Sequence, residues 1–188
     1  MLSEYCIYMR NIVLKYGTIA GLLSSCLIII TMLIQKKYGF ESTPQYLGYV
    51  GIVLVFVPLY LGVRSYRENV MGGEINFMKA LNAGIIIVVI SSMLYTITWL
   101  IIYYQITPDF PEKYSAYLTQ QIKTSGKNLK DTLTVQQQMV EYKEFARNPL
   151  KLGGVTFTEP LPIGLILALI TAAMLRKKTS SPELPNLS

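Results

Sequence analysis

The chain is predicted to be an all-α integral membrane protein, a four-helix bundle with an extramembrane amphipathic helical segment between its third and fourth spans. Four long apolar stretches carry most of that prediction: Ile12–Ile34, Tyr46–Val63, Ala83–Tyr104 and Leu161–Leu175. None contains Asp, Glu, Lys or Arg except for Lys15. A spanning helix needs about 20 mostly apolar residues, because each rises about 1.5 Å and the hydrocarbon core is about 30 Å thick. Composition agrees: 52% of the 188 residues are hydrophobic and only 15% are charged, and mean hydropathy is +0.39. These values sit on the membrane side of ordinary usage. The third observation is the polar connection from Gln105 to Thr158, which repeats apolar residues at helical spacing.

Each element has a local cause. The first and third stretches reach spanning length outright; the second is slightly short, and the fourth reaches it only if its helix begins near Phe157. Pro160 and Pro162 open the fourth span. Proline suits a first helical turn, so both are expected to start a helix rather than to break one. Before the third span, Gly72 and Gly73 break the chain and Glu74 favours the helix start that follows. After it, Ile106-Thr107-Pro108 ends the span. Asp109 is the expected N-cap of the next helix, with Glu112 placed to reach back. Phe110, Tyr114, Tyr117, Leu118 and Ile122 make its apolar face, and Ser125-Gly126 closes it. A second helix is expected from Thr134, with Val135, Met139, Tyr142 and Phe145 as its stripe. Asn148-Pro149 ends it, and Leu150–Gly154 reads as a loop back to the membrane. The organisation is therefore three spans in residues 1–104, an extracytoplasmic helical segment in 105–156, a fourth span in 157–178 and a tail in 179–188.

The net charge of +6 is spread over span ends and the long connection, which fits topology and head-group contact rather than nucleic acid. Four spans put both termini on one side. Arg10, Lys15, Arg64, Arg67, Lys79 and the closing Arg176-Lys177-Lys178 place that side in the cytoplasm. Tyr38, Phe40, Tyr46, Trp99, Tyr103, Tyr104 and Phe157 then form an outer aromatic belt. The apolar run continues past Cys26, so a lipoprotein cleavage box at Leu23–Cys26 is disfavoured and an uncleaved span is expected.

Small residues mark where helix backbones can approach in lipid. Gly17 and Gly21 on span one match the expected depth of Ala80 and Gly84 on span three, so these patches are expected to touch. Gly164, Ala168 and Ala172 form a stripe on span four, expected to take Gly48 and Gly51 of span two. Either pairing would serve a homo-oligomer equally well. The central membrane layer is expected to be free of charge, with Lys79 and Asn82 at the inner end of span three and Glu159 at the outer end of span four.

The run Gly72–Gly84 (Gly-Gly-Glu-Ile-Asn-Phe-Met-Lys-Ala-Leu-Asn-Ala-Gly), then Ile106-Thr-Pro-Asp-Phe110 and the ending Leu165–Lys178, carry a resemblance over nearly the whole chain. The sequence resembles the small four-span Bacteroidetes membrane proteins of the domain-of-unknown-function 4199 family. That resemblance implies an integral inner-membrane protein with a long loop between spans three and four, and it transfers no functional residue.

No catalytic, metal or cofactor residues are expected. The chain has no histidine, its two cysteines are Cys6 and Cys26, and no base stands near a nucleophile. The leading expectation is a non-enzymatic structural, accessory or partner-binding membrane component. Its contact surface would be Phe110, Tyr114, Tyr117, Tyr142 and Phe145, and its partners lipids and a membrane protein or a second copy. The outer helices are expected first to pack as a hairpin on the span ends; lying on the outer membrane surface or binding a partner are the alternatives. The alternative function is a small oligomeric transporter or channel.

Overall fold

A computed structural model describes residues 2–42, 46–124 and 129–176. The chain forms α1 (Leu2–Tyr38), a single 3-10 turn (Phe40–Ser42), α2 (Tyr46–Asn69) and α3 (Phe77–Ile101), which a π-helical turn extends through Ile106. Then come α4 (Phe110–Thr124), α5 (Leu129–Ala146), α6 (Pro149–Thr158) and α7 (Leu161–Leu175). No strand occurs among the described residues. Four stretches are long and apolar enough to cross a membrane: Ile7–Tyr38, Tyr49–Asn69, Phe77–Ile106 and Pro149–Leu175.

The fourth of these corrects the sequence reading. Leu150–Gly154 is helix, not loop, and the span begins at Pro149 rather than near Phe157. The cause is local. Asn148 Oδ1 accepts from the N–H groups of Leu150 (2.9 Å) and Lys151 (3.3 Å), and Pro149 fills the first helical position. The pair that ends α5 therefore also starts α6. Gly153 does not stop the helix because it is a packing position, where an added Cβ would stand 3.4 Å from Leu100 Cδ1 and 3.8 Å from Thr96 Cγ2. Pro160 and Pro162 do open a helix, with Pro160 at the N-cap of α7 and Pro162 in its first turn, but that helix is the second part of the apolar stretch Pro149–Leu175. Alone, the 15 residues of α7 would rise about 22 Å, short of the hydrocarbon core. Together α6 and α7 cover it.

Other boundaries moved less. Asn76, rather than Glu74, caps α3, its Oδ1 accepting from the Lys79 N–H at 2.9 Å. Gly72 and Gly73 hold φ of +67° and +89°, a left-handed turn that glycine enters without strain. Helix α5 starts at Leu129, earlier than the Thr134 signal; the intervening Leu, Lys and Leu are good helix formers that need no cap there. The Ser125-Gly126 stop signal, Lys177-Lys178 and the 179–188 tail lie outside the described residues.

Helix α1 packs on α2 and α3, and α7 packs on α3 and α2. The half of the bundle nearest the termini is tight. Leu59, Val63, Ala80, Ala83, Ile87, Ala168 and Ala172 form its core, with Val13, Tyr66 and Leu175 at the end. Arg67 Nη1 donates to the Leu175 carbonyl at 3.4 Å, tying α2 to the last turn of α7.

All seven small residues singled out from the sequence (Gly17, Gly21, Ala80, Gly84, Gly164, Ala168 and Ala172) are buried, but not against the expected partners. Spans one and three do touch, yet Gly17 faces Ile90 and Ile87, and Gly21 faces Leu94. Gly84 instead meets Ala168 of α7, and Gly164 meets Val88 of α3. Gly51 faces Leu27 of α1; the surroundings of Gly48 lie outside the described residues. A small residue is a hole that accepts a large knob from its neighbour. Among these, Gly84 against Ala168 is the one small-on-small contact, where the two backbones approach closely.

At the opposite end, α4 and α5 form a cap. Phe40 of the 3-10 turn packs against Phe110, Tyr114 and Tyr117, with ring centroids 5.8, 5.5 and 5.6 Å apart. Trp99 meets Phe110 edge-on at 5.3 Å, and Tyr142 meets Tyr103 at 6.2 Å. Tyr104 Oη donates to the carbonyl of Ala146, and Lys36 Nζ donates to that of Ile106 at 3.3 Å. Lys143 pairs with Glu112 across the hairpin.

Candidate functional site

The cap was the expected contact surface. Four of its five aromatic residues, Phe110, Tyr114, Tyr117 and Tyr142, instead place their rings against each other, Phe40 and the ends of α3. Phe145 is half-buried. This amphipathic face is used internally because the span ends offer an aromatic surface of their own. The cap's ionisable groups do structural work. The Lys113 ammonium holds the Asp109 carboxyl below its ordinary range, and Lys143 does the same for Glu112. Burial, then the neighbouring Tyr103, then the charge of Glu159 push the Tyr142 phenol up to about 12.

The larger feature lies inside the bundle. Beyond the tight half, the four spans line an open cavity of about 550 Å³. That is within the range of roughly 300–1,000 Å³ typical of small-molecule sites. Helix α1 contributes Ser24, Leu27, Ile28 and Thr31, and α2 contributes Gly51, Ile52 and Val55. Helix α3 contributes Val88, Ser91, Ser92 and Tyr95; the fourth wall is Glu159, Pro160, Ile163, Gly164 and Leu167. Small side chains explain the space. Ser24, Gly51, Ser91, Ser92 and Gly164 come from all four walls, and their small side chains leave the space open. Prolines mark where the packing changes. Pro58 removes one rung from α2 between Val55, at the cavity, and Leu59, in the core.

Most of the lining is apolar, and two of its hydroxyls are engaged with their own helix. Ser24 Oγ donates to the carbonyls of Ala20 (2.9 Å) and Gly21 (3.0 Å), and Thr31 Oγ1 donates to that of Leu27 at 2.8 Å. Glu159 is the one ionisable carboxylate of the wall, exposed at its mouth. No Lys or Arg among the described residues forms an ion pair with it.

The depth of Glu159 differs from expectation. Helices α6 and α7 run antiparallel to α3: Gly164 sits at Val88, and Gly153 at Leu100 and Thr96. Glu159 falls between these contacts, beside Ser92 and Tyr95. Ser91 and Ser92 stand at the midpoint of the span Phe77–Ile106. The carboxylate therefore lies near the middle of the bundle's apolar length, not at its outer end, and the central layer is not free of acids. Phe157, expected in the outer aromatic belt, lies two residues away at the same depth. Sequence reasoning missed Glu159, Ser91, Ser92 and Tyr95 as a group. The signal that could have found them was the Asn148-Pro149 helix start, which moves Glu159 from a span's edge to its interior.

No group of three or more His, Cys, Asp or Glu residues able to hold a metal ion occurs among the described residues. The fold and its four apolar spans define a multi-pass helical membrane protein. The chain belongs to the family described as "Protein of unknown function (DUF4199)", whose match covers residues 15–177. No curated protein and no solved structure matches it.

Proposed function

We propose that this is a non-catalytic binding protein of the bacterial cytoplasmic membrane, with cytoplasmic termini and an external cap, that holds a small amphipathic guest within its bundle. The observation that carries this reading is the cavity of about 550 Å³, walled by all four spans, mostly apolar, with a few hydroxyls and one carboxylate. A mostly apolar site with a few convergent polar groups is what an orienting small-molecule pocket requires. Its place at span mid-depth makes the lipid phase the source of the guest. The cap closes the bundle end and positions α6, so it serves the site structurally and keeps its polar outer face for an accessory partner.

The supporting test is photolabelling in nanodiscs with a neutral adamantyl diazirine, followed by peptide mapping. Label is expected on Ile52, Val55, Ser91 and Ile163, and excess unlabelled adamantanol is expected to remove it. Val55→Phe, which fills the space, should abolish that protected label while leaving the unfolding temperature within a few degrees. Labelling confined to lipid-facing positions such as Ile30 and Leu33, with none competed, would end the proposal.

A further inference from the structure

The geometry points to an organic cation with an apolar body as the guest, its charged head held by Glu159 at the break between α6 and α7. This rests on the cavity being a binding site, as proposed above. Three features converge on the sign of the charge. Glu159 is the one acidic side chain at the cavity mouth, and no basic side chain among the described residues pairs with it. Helix α6 ends at Thr158 and α7 starts at Leu161, so the two helix-end dipoles offset and the last carbonyls of α6 count as acceptors rather than as a net charge. Pro160 and Pro162 have no N–H to offer to the carbonyls of Thr156 and Thr158, their normal helical acceptors, which adds unused acceptor capacity. An acidic group beside carbonyls that lack their helical donors is complementary to an ammonium head.

The depth sharpens the argument. A carboxylate in the apolar layer is costly when unpaired, and such groups mark ligand or ion sites far more often than structural ones. The remaining lining sets the guest's body. Leu27, Ile28, Val55, Ile163 and Leu167 are aliphatic, so the body is apolar, while Ser91, Ser92 and the phenol of Tyr95 offer hydroxyls near the head. An anionic lipid head would face Glu159 with like charge, and a neutral alkane would leave it unanswered.

The test repeats the diazirine labelling in nanodiscs, with 1-adamantanamine, cationic at neutral pH, and 1-adamantanol, neutral and nearly the same shape, as competitors. The amine is expected to protect Val55 and Ile163 at a concentration about tenfold lower or more, the advantage of one hydrogen-bonded ion pair. Glu159→Gln should remove that advantage without changing protection by the alcohol. Glu159→Asp, which keeps the charge, should retain most of it and serves if the glutamine variant fails to fold. Equal protection by amine and alcohol in the wild-type protein would overturn the cation inference and leave the binding reading standing. Labelling that neither compound displaces would overturn both.

Discussion

Substituting Gly17 by Ala tests how α1 is seated on α3, and Gly154 provides the internal control. Both glycines lie within helices, so each substitution gains roughly 0.5–1 kcal/mol in helix propensity. Their surroundings differ. A Cβ on Gly17 would stand 2.9 Å from Ile90 Cβ and 3.3 Å from the Ile87 carbonyl oxygen. Neither atom belongs to the free end of a flexible chain: one is the branch point of a β-branched residue and the other is backbone. Helix α1 must therefore back away from α3. Overpacking of this kind typically costs about 1–3 kcal/mol. The net expectation for Gly17→Ala is a loss of up to about 2.5 kcal/mol, the packing cost less the propensity gain. A Cβ on Gly154 would meet nothing within 4 Å, so Gly154→Ala should gain the propensity increment alone. The assay is reversible unfolding in mixed micelles of dodecylmaltoside and SDS, followed by circular dichroism. The midpoints should move in opposite directions. If both variants shifted the same way by similar amounts, Gly17 would not be in contact with Ile90, and the α1–α3 register described above would be wrong.

Three further outcomes follow from single contacts. Asn148→Ala removes the cap that starts α6 and should destabilise the fold by about 1 kcal/mol, read by hydrogen exchange as faster opening of the Leu150 and Lys151 amides. The Glu112–Lys143 pair makes the cap sensitive to acid. Lys143 holds the Glu112 carboxyl below its ordinary value, so the pair's contribution is full above the unfolded value of about 4.3 and is lost as pH falls through the lower folded value. Both side chains are about half exposed, so the effect is under about 1 kcal/mol. It should appear as faster exchange in α4 and α5 at pH 3 than at pH 6 once intrinsic rates are corrected, and should be absent in Lys143→Met. Tyr142 makes the cap sensitive to base. Its phenol is pushed up to about 12, chiefly by burial, so its contribution is full below the unfolded value of about 10 and is lost as pH rises towards 12. Difference absorbance at 295 nm between wild type and Tyr142→Phe should show this phenol ionising late; a midpoint near 10 would place it in water.

Much of the fold was legible without coordinates because membrane helices obey a one-dimensional rule. Lipid cannot hydrogen-bond a bare backbone, so long apolar runs must be helices, and Ile12–Ile34 and Ala83–Tyr104 declare themselves by length. The cap's aromatic stripe was legible for a similar reason, since periodicity shows that a face will be buried. It does not show against what. Phe110, Tyr114 and Tyr117 found their partners in Phe40 and the end of α3, residues that periodicity alone does not name. Gly153-Gly154 misled for a different reason. Two adjacent glycines in a polar-to-apolar transition read as a break, but in lipid a glycine is also the means of close approach, and Gly153 lies on Leu100 and Thr96.

The sequence by itself determined the solvent of this protein, the number of its crossings and the helical nature of its cap, because each depends on composition or period along one strand of chain. Tertiary structure decided the pairing of the small residues, the depth of Glu159 and the existence of the cavity. Pairing depends on which large side chain from another helix fills each hole, as Ile90 and Leu94 do for Gly17 and Gly21. The depth of Glu159 depends on α6 lying against α3 above it, which turns a residue at the edge of an apolar run into one at the middle of a span. The cavity is a volume that four separate walls leave unfilled, and no single helix encodes it.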